Sequence, residues 1–165
     1  MDSKAAVQKA QREILQNLVR WESSISALYH EYSRLFPVMA DFWSTLSQEE
    51  TAHAHLLQAL EKTLDEGHIF WNIGHFGPEA VHHETVQVEE AINRAMAAKV
   101  SAREAVFAAV KIEASLLESR FYNVVKSDAP EFERVARKLT KATEDHVARI
   151  RAQLMETTDD DRWHD

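Results

Sequence analysis

The amino-acid sequence predicts an all-α chain built as two antiparallel helix pairs joined by one long crossover. Three observations carry that expectation. The 165 residues include only 3 Gly and 3 Pro, whereas turn-rich β folds depend on both residues. Ala, Leu, Glu, Lys, Arg and Gln, the strong helix formers, dominate the composition. Apolar positions recur at spacings of three and four along most of the chain, which is the period of a helix with one buried face.

Asp2 or Ser3 is a good N-cap for a first helix running to about Phe36. Pro37 ends it and opens the second helix, because proline suits a first turn and disfavours helix in the preceding residue. The second helix carries the stripe Met39, Trp43, Leu46, Glu50, His53, Leu57, Leu60 and Leu64. Gly67 is its expected C′ residue. Residues 67 to about 84 read as irregular and hold all three glycines, one proline and His68, His75, His82 and His83. A short helix is expected from about 85 to 98. Ser101 to Glu104 has the form of a capping box, opening a helix to about Ser127. Asp128 and Pro130 open the last helix, which runs to about Glu156. The expected organisation is a helical bundle over 1–156, with its crossover at 67–100, and a disordered acidic tail over 157–165. One long crossover between two short-looped pairs is one of the known four-helix topologies.

Composition narrows the function. The formal net charge is −8, which disfavours nucleic acid or an anionic membrane as partner, since both need a basic face. No run approaches the roughly 18 apolar residues of a membrane span. The first residues, MDSKAAVQKAQREILQ, lack the apolar segment of a secretory signal. With no cysteine, disulfides, thiolate metal centres and a cysteine nucleophile are excluded. Cytoplasmic residence is the expectation.

The two helix pairs look related. Pro37 and Pro130 lie 93 positions apart (130 − 37), and the same offset aligns Tyr29 with Tyr122, Leu46 with Leu139 and His53 with His146. It also aligns Glu22 with Ser115 and Glu50 with Thr143, so the second half lacks both glutamates of the first.

Glu50-Thr-Ala-His53 places an oxygen and a nitrogen donor on one helix face, as positions i and i+3 do. Glu22 lies on the first helix's stripe of Leu18, Ile25, Tyr29 and Tyr32. An unpaired buried carboxylate costs several kcal/mol, and neighbouring carboxylates repel. A bound cation answers both problems; so would Lys111, or protons shared among the carboxylates and histidines. His146 lies on the stripe Phe132, Ala136, Leu139, Thr143, Ile150. From the preceding helix two carboxylates compete. Glu118 shares the face of Ser115 and is preferred; Glu113 fits the alternative stripe Val106, Val110, Glu113. Tyr29 and Tyr122 are candidate hydrogen-bond donors to the site carboxylates.

Over about residues 10–155 these residues resemble the rubrerythrin-like branch of the ferritin-like superfamily. The resemblance rests on Glu22 with Tyr29, on Glu50 and His53, on Glu118, and on His146 late in the last helix. It implies a ferritin-like four-helix bundle with iron bound between the helices, for peroxide or oxygen chemistry or for iron handling. Such proteins hold two irons with a Glu from each of two helices and a Glu-x-x-His from each of the others. Ser115 and Thr143 depart from that pattern. The remaining ligand set of Glu22, Glu50, His53, Glu118 and His146 suits one octahedral ion with water, or an unequal pair. Manganese and zinc are compatible with it as well. With no cysteine, these residues cannot form the rubredoxin domain of full rubrerythrins, so redox turnover is expected to need an external electron donor. A homodimer is the family expectation. The rival is a non-enzymatic dimerisation or interaction module whose former ligands persist as a metal-free polar core. The crossover histidines and the tail residue Trp163 are further, weaker candidates for a surface role.

Overall fold

A computed structural model describes residues 3–68, 70–72, 78–115 and 125–159. The chain is all-helical in architecture. Its helices are α1 (Ser3–Leu35), α2 (Ala40–Asp65), α3 (Pro78–Met96), α4 (Ala102–Glu113) and α5 (Pro130–Asp159).

Helix α1 ends before Pro37, which sits at the start of a single 3-10 turn, Pro37–Met39, leading straight into α2. The turn reverses the chain, so α1 and α2 run antiparallel. Gln8 Nε2 donates to the Leu64 carbonyl (3.1 Å) at one end, and the Ser26 hydroxyl donates to the Ser47 carbonyl (2.8 Å) farther along. All eight residues of the α2 stripe are buried, Glu50 and His53 included. At the turn, Tyr29, Tyr32, Phe36, Phe42 and Trp43 pack with ring centroids 5.0–6.5 Å apart. These rings close that end of the core. Helix α2 stops at Gly67, whose φ of 92° is open to glycine without steric cost.

The crossover is more helical than the sequence suggests. Helix α3 starts at Pro78, seven residues before the expected 85, with proline in its first turn and Glu79 beside it. His82 and His83 are therefore exposed positions on a helix; His75 lies outside the described residues. Val81, Thr85, Val88 and Ala95 form the buried stripe of α3, which packs against α1. Arg20 on α1 reaches Glu89 on α3 at 3.0 Å. The expected short extra helix is thus a 19-residue element covering the outer face of α1.

Ser101 and Glu104 form the capping box the sequence predicts. The Ser101 hydroxyl accepts from the Glu104 backbone N–H (3.2 Å), and the Ser101 N–H donates to the Glu104 carboxylate (2.8 Å). That backbone N–H, with the Ser101 hydroxyl, holds the Glu104 carboxyl below its usual range. The helix expected to reach Ser127 is described only to Glu113, and Val125–Ser127 is an extended segment. It pairs antiparallel with Phe70–Asn72, Phe70 opposite Ser127 and Asn72 opposite Val125. The pairing satisfies backbone groups that a helix through Ser127 would have satisfied internally. Helix α5 starts at Pro130 and buries the stripe Phe132, Ala136, Leu139, Thr143, His146 and Ile150. Among the described residues, no helix is long and apolar enough to cross a membrane.

Candidate metal centre

Four helices deliver ionisable side chains to one buried point. Helix α1 brings Glu22, α2 brings Glu50 and His53, α4 brings Glu113 and α5 brings His146. Each is at most 6 % exposed. Their placement follows from helical phase: every one of these residues falls on its helix's apolar stripe, so burying the stripe buries the charge.

Glu50 is the hub. One carboxylate oxygen lies 2.9 Å from His53 Nδ1, and the other lies 2.7 Å from His146 Nδ1. The second contact is close but poorly aligned for a hydrogen bond, and neither of its two atoms has a hydrogen-bonded partner among the described residues. Glu22 Oε2 stands 3.9 Å from His53 Nδ1, and Glu113 Oε1 stands 3.5 Å from His146 Nδ1. The Tyr29 hydroxyl donates to Glu113 Oε1 at 2.7 Å, while Glu113 Oε2 has no hydrogen-bonded partner among the described residues. The two imidazoles stack, with centroids 5.3 Å apart.

The electrostatics follow from burial and mutual proximity. Burial, and then the Glu113 carboxylate, push the Glu50 carboxyl above its ordinary range. Burial lowers His53 and favours its neutral, lone-pair-bearing form, against the pull of Glu22. Burial also acts to lower His146, but the Glu113 and Glu50 carboxylates beside it prevail and hold it up at about 10. Glu113 adds a further strain on charge: it ends α4, where the helix dipole is negative and an anion is disfavoured.

The donor set fits a metal ion. One ligand atom each from Glu50, His53 and His146 lie within 4.8 Å of one another. Ligand atoms ~2.0–2.2 Å from a common ion stand at most ~4.4 Å apart, so small rotamer adjustments suffice. Two imidazoles with a carboxylate suit Fe(II), Mn(II) or Zn(II). Glu22 and Glu113 stand where they can complete the set or balance its charge.

Comparison with known proteins returns no match. No family model, no curated protein and no solved structure is similar to this chain.

Of the sequence candidates, Glu22, Glu50, His53 and His146 come together. Glu118 and Tyr122 lie outside the described residues. The alternative, Glu113, is the α4 carboxylate found in the cluster. It lies two residues before Ser115, the partner of Glu22 in the repeat, so the repeat register could not point to it. Ser115 is half-buried just beyond α4. Thr143 is buried and donates to the Leu139 carbonyl (3.0 Å) one turn back. Its hydroxyl is thereby occupied by the helix backbone. Lys111, the cation that would replace a metal, is exposed. Sequence reasoning missed Glu49, whose Oε2 lies 3.0 Å from His146 Nε2. It sits beside Glu50 but outside the apolar stripe, and no spacing rule marks it.

Proposed function

We propose that this chain is a ferritin-like metal-binding protein, most closely of rubrerythrin-like type, that holds iron or a similar divalent ion between its helices. Glu50, His53 and His146 would bind the ion, with Glu22 and Glu113 as additional carboxylates. The observation that carries this reading is the convergence of Glu50, His53 and His146 donor atoms within 4.8 Å inside the protein. Bound iron would supply redox chemistry toward peroxide or oxygen, with electrons from an external donor. The chain's own residues would bind and orient the ion, and the aromatic cluster at the α1–α2 turn would exclude water from that side. Loss of carboxylates at Ser115 and Thr143 favours one ion or an unequal pair over a symmetric two-iron centre. Assembly as a homodimer in the cytoplasm belongs to the same reading.

Elemental analysis of protein purified without chelators tests it. The expected result is close to one ion per chain, lost in Glu50→Gln and His53→Ala. Less than about a tenth of an ion after iron loading refutes it.

One observation favours a second reading, the metal-free interaction module. His146, held at about 10, is itself a cation among the carboxylates and neutralises part of their charge. That reading predicts an unchanged core and no metal-dependent stabilisation.

A further inference from the structure

The described metal-site geometry leaves one strong contact unused: the outward nitrogen of His146. We propose that Glu49 is a positioning residue that fixes the tautomer and ring orientation of His146, so that Nδ1 is the atom presented to a metal ion. The inference rests on the metal-binding reading above.

His146 has a carboxylate at each ring nitrogen. Nδ1 faces inward, 2.7 Å from Glu50 and 3.5 Å from Glu113. Nε2 faces outward, 3.0 Å from Glu49 Oε2. A neutral imidazole carries one N–H, and the tautomer follows the better acceptor for it. When a cation occupies the inner side, the inner carboxylates turn their lone pairs to that cation, and among the described residues Glu49 is the acceptor left for the ring N–H. The N–H is then on Nε2 and the lone pair on Nδ1. Glu49 is itself held by Arg149, whose guanidinium donates to the same Oε2. That bond aims the carboxylate at the ring. The side chain of Glu49 is 38 % exposed, so its desolvation cost is small, and its direct contact with the donor set is at His146. Carboxylate–histidine–metal relays of this kind change metal affinity by roughly 10- to 100-fold when the carboxylate is removed.

The experiment uses the full chain and Zn(II), which is diamagnetic. Zn(II) affinity is measured by chelator competition for wild type, Glu49→Ala and Glu49→Gln, and the imidazole ¹⁵N and N–H signals of the Zn(II)-loaded proteins are recorded. Wild type is expected to show a protonated, slowly exchanging Nε2 on His146. Glu49→Ala should bind about 10- to 100-fold more weakly and lose the protected Nε2–H. Glu49→Gln keeps an oxygen acceptor, and is expected to retain that signal and to bind within about 5-fold of wild type. A structural role alone would not separate Ala from Gln in this way. If Glu49→Ala binds as tightly as wild type, or His146 is protonated at Nδ1 in the loaded protein, the assignment of Glu49 is overturned while the metal site stands. If wild type itself takes up no Zn(II), iron or manganese, both fall together.

Discussion

Replacing Glu50 by Gln is the sharpest perturbation available, because it removes one charge at the hub while conserving size. The Glu50 side chain touches His53 Nδ1 with one oxygen and His146 Nδ1 with the other, so it bridges the two imidazoles of the donor set. A ligand that binds only the folded state stabilises it by about 2.7 kcal/mol at a free concentration 100-fold above Kd. For a chain of 165 residues that corresponds to a rise in Tm of roughly 5–11 °C, at about 2–4 °C per kcal/mol. Loss of a direct ligand should weaken binding at least as much as the ~100-fold upper range for outer carboxylates. At the same metal concentration the variant then gains only about 0.4 kcal/mol, or roughly 1–2 °C. The assay is thermal unfolding with and without Fe(II), Mn(II) or Zn(II), beside bound-metal analysis. Using the metal-induced shift rather than Tm itself removes any effect of the substitution on the metal-free fold. An identical shift in Glu50→Gln and wild type would refute the assignment of Glu50 as a ligand.

His146→Ala leaves the buried Glu50 and Glu113 carboxylates without their cationic partner, and should cost the metal-free protein about 3–5 kcal/mol in urea unfolding; a loss under about 1 kcal/mol would contradict the raised basicity of this ring. Metal-free stability should fall with rising pH. His146 is raised to about 10 from roughly 6.5, so its contribution is complete below about 6.5 and is lost as pH climbs through about 10. Glu50, also raised, acts in the same direction from its own lower range, while lowered His53 acts oppositely and destabilises only toward acid. A Tm that is flat between pH 7 and 10 in chelator would be the wrong outcome. Ala98 has a φ of 52° at the end of α3, where an L-residue pays roughly 1–2 kcal/mol. Ala98→Gly should therefore stabilise by about 0.5–1 kcal/mol after the extra chain entropy of glycine, readable as a Tm gain unless the left-handed turn is absent. Metal uptake at neutral pH should release about one proton per ion, seen as buffer-dependent binding enthalpy; enthalpies independent of buffer would argue against His146 as a ligand.

The helical stripes were legible because burial and phase are the same fact in a helix. Met39 through Leu64, and Phe132 through Ile150, alternate three and four without interruption, and all of these positions are buried. Glu22, Glu50, His53 and His146 could be placed for that reason: a charged residue on an unbroken apolar stripe has no outward alternative. The α4 region was not legible in the same way. Two registers fitted the segment from Val106 onward, one placing Glu113 on the buried stripe and the other placing Glu118 on the face of Ser115. An antiparallel pairing between Phe70–Asn72 and Val125–Ser127, distant in sequence, decides the conformation of that end, and local periodicity carries no signal for it. The early start of α3 has a similar cause. Pro78 and Glu79 suit a first turn, but the glycine- and histidine-rich stretch around them reads as loop until α1 supplies an apolar face to cover.

Burial and charge favour a cation at this point independently of any family resemblance. Glu22, Glu50 and Glu113 are completely buried, and Glu113 stands at the unfavourable end of a helix dipole. A charge buried in this way is costly unless positive charge accompanies it. Burial displaces Glu50 toward its protonated form, and the carboxylates beside His146 hold its proton to about 10. A divalent ion at the same place would satisfy the carboxylates more fully than one imidazolium does, and it would take the Nδ1 lone pair that the proton occupies. Proton and metal are then alternative occupants of one electrostatic demand. The rival, metal-free core is the protonated limit of that competition, so the two readings differ in affinity rather than in architecture.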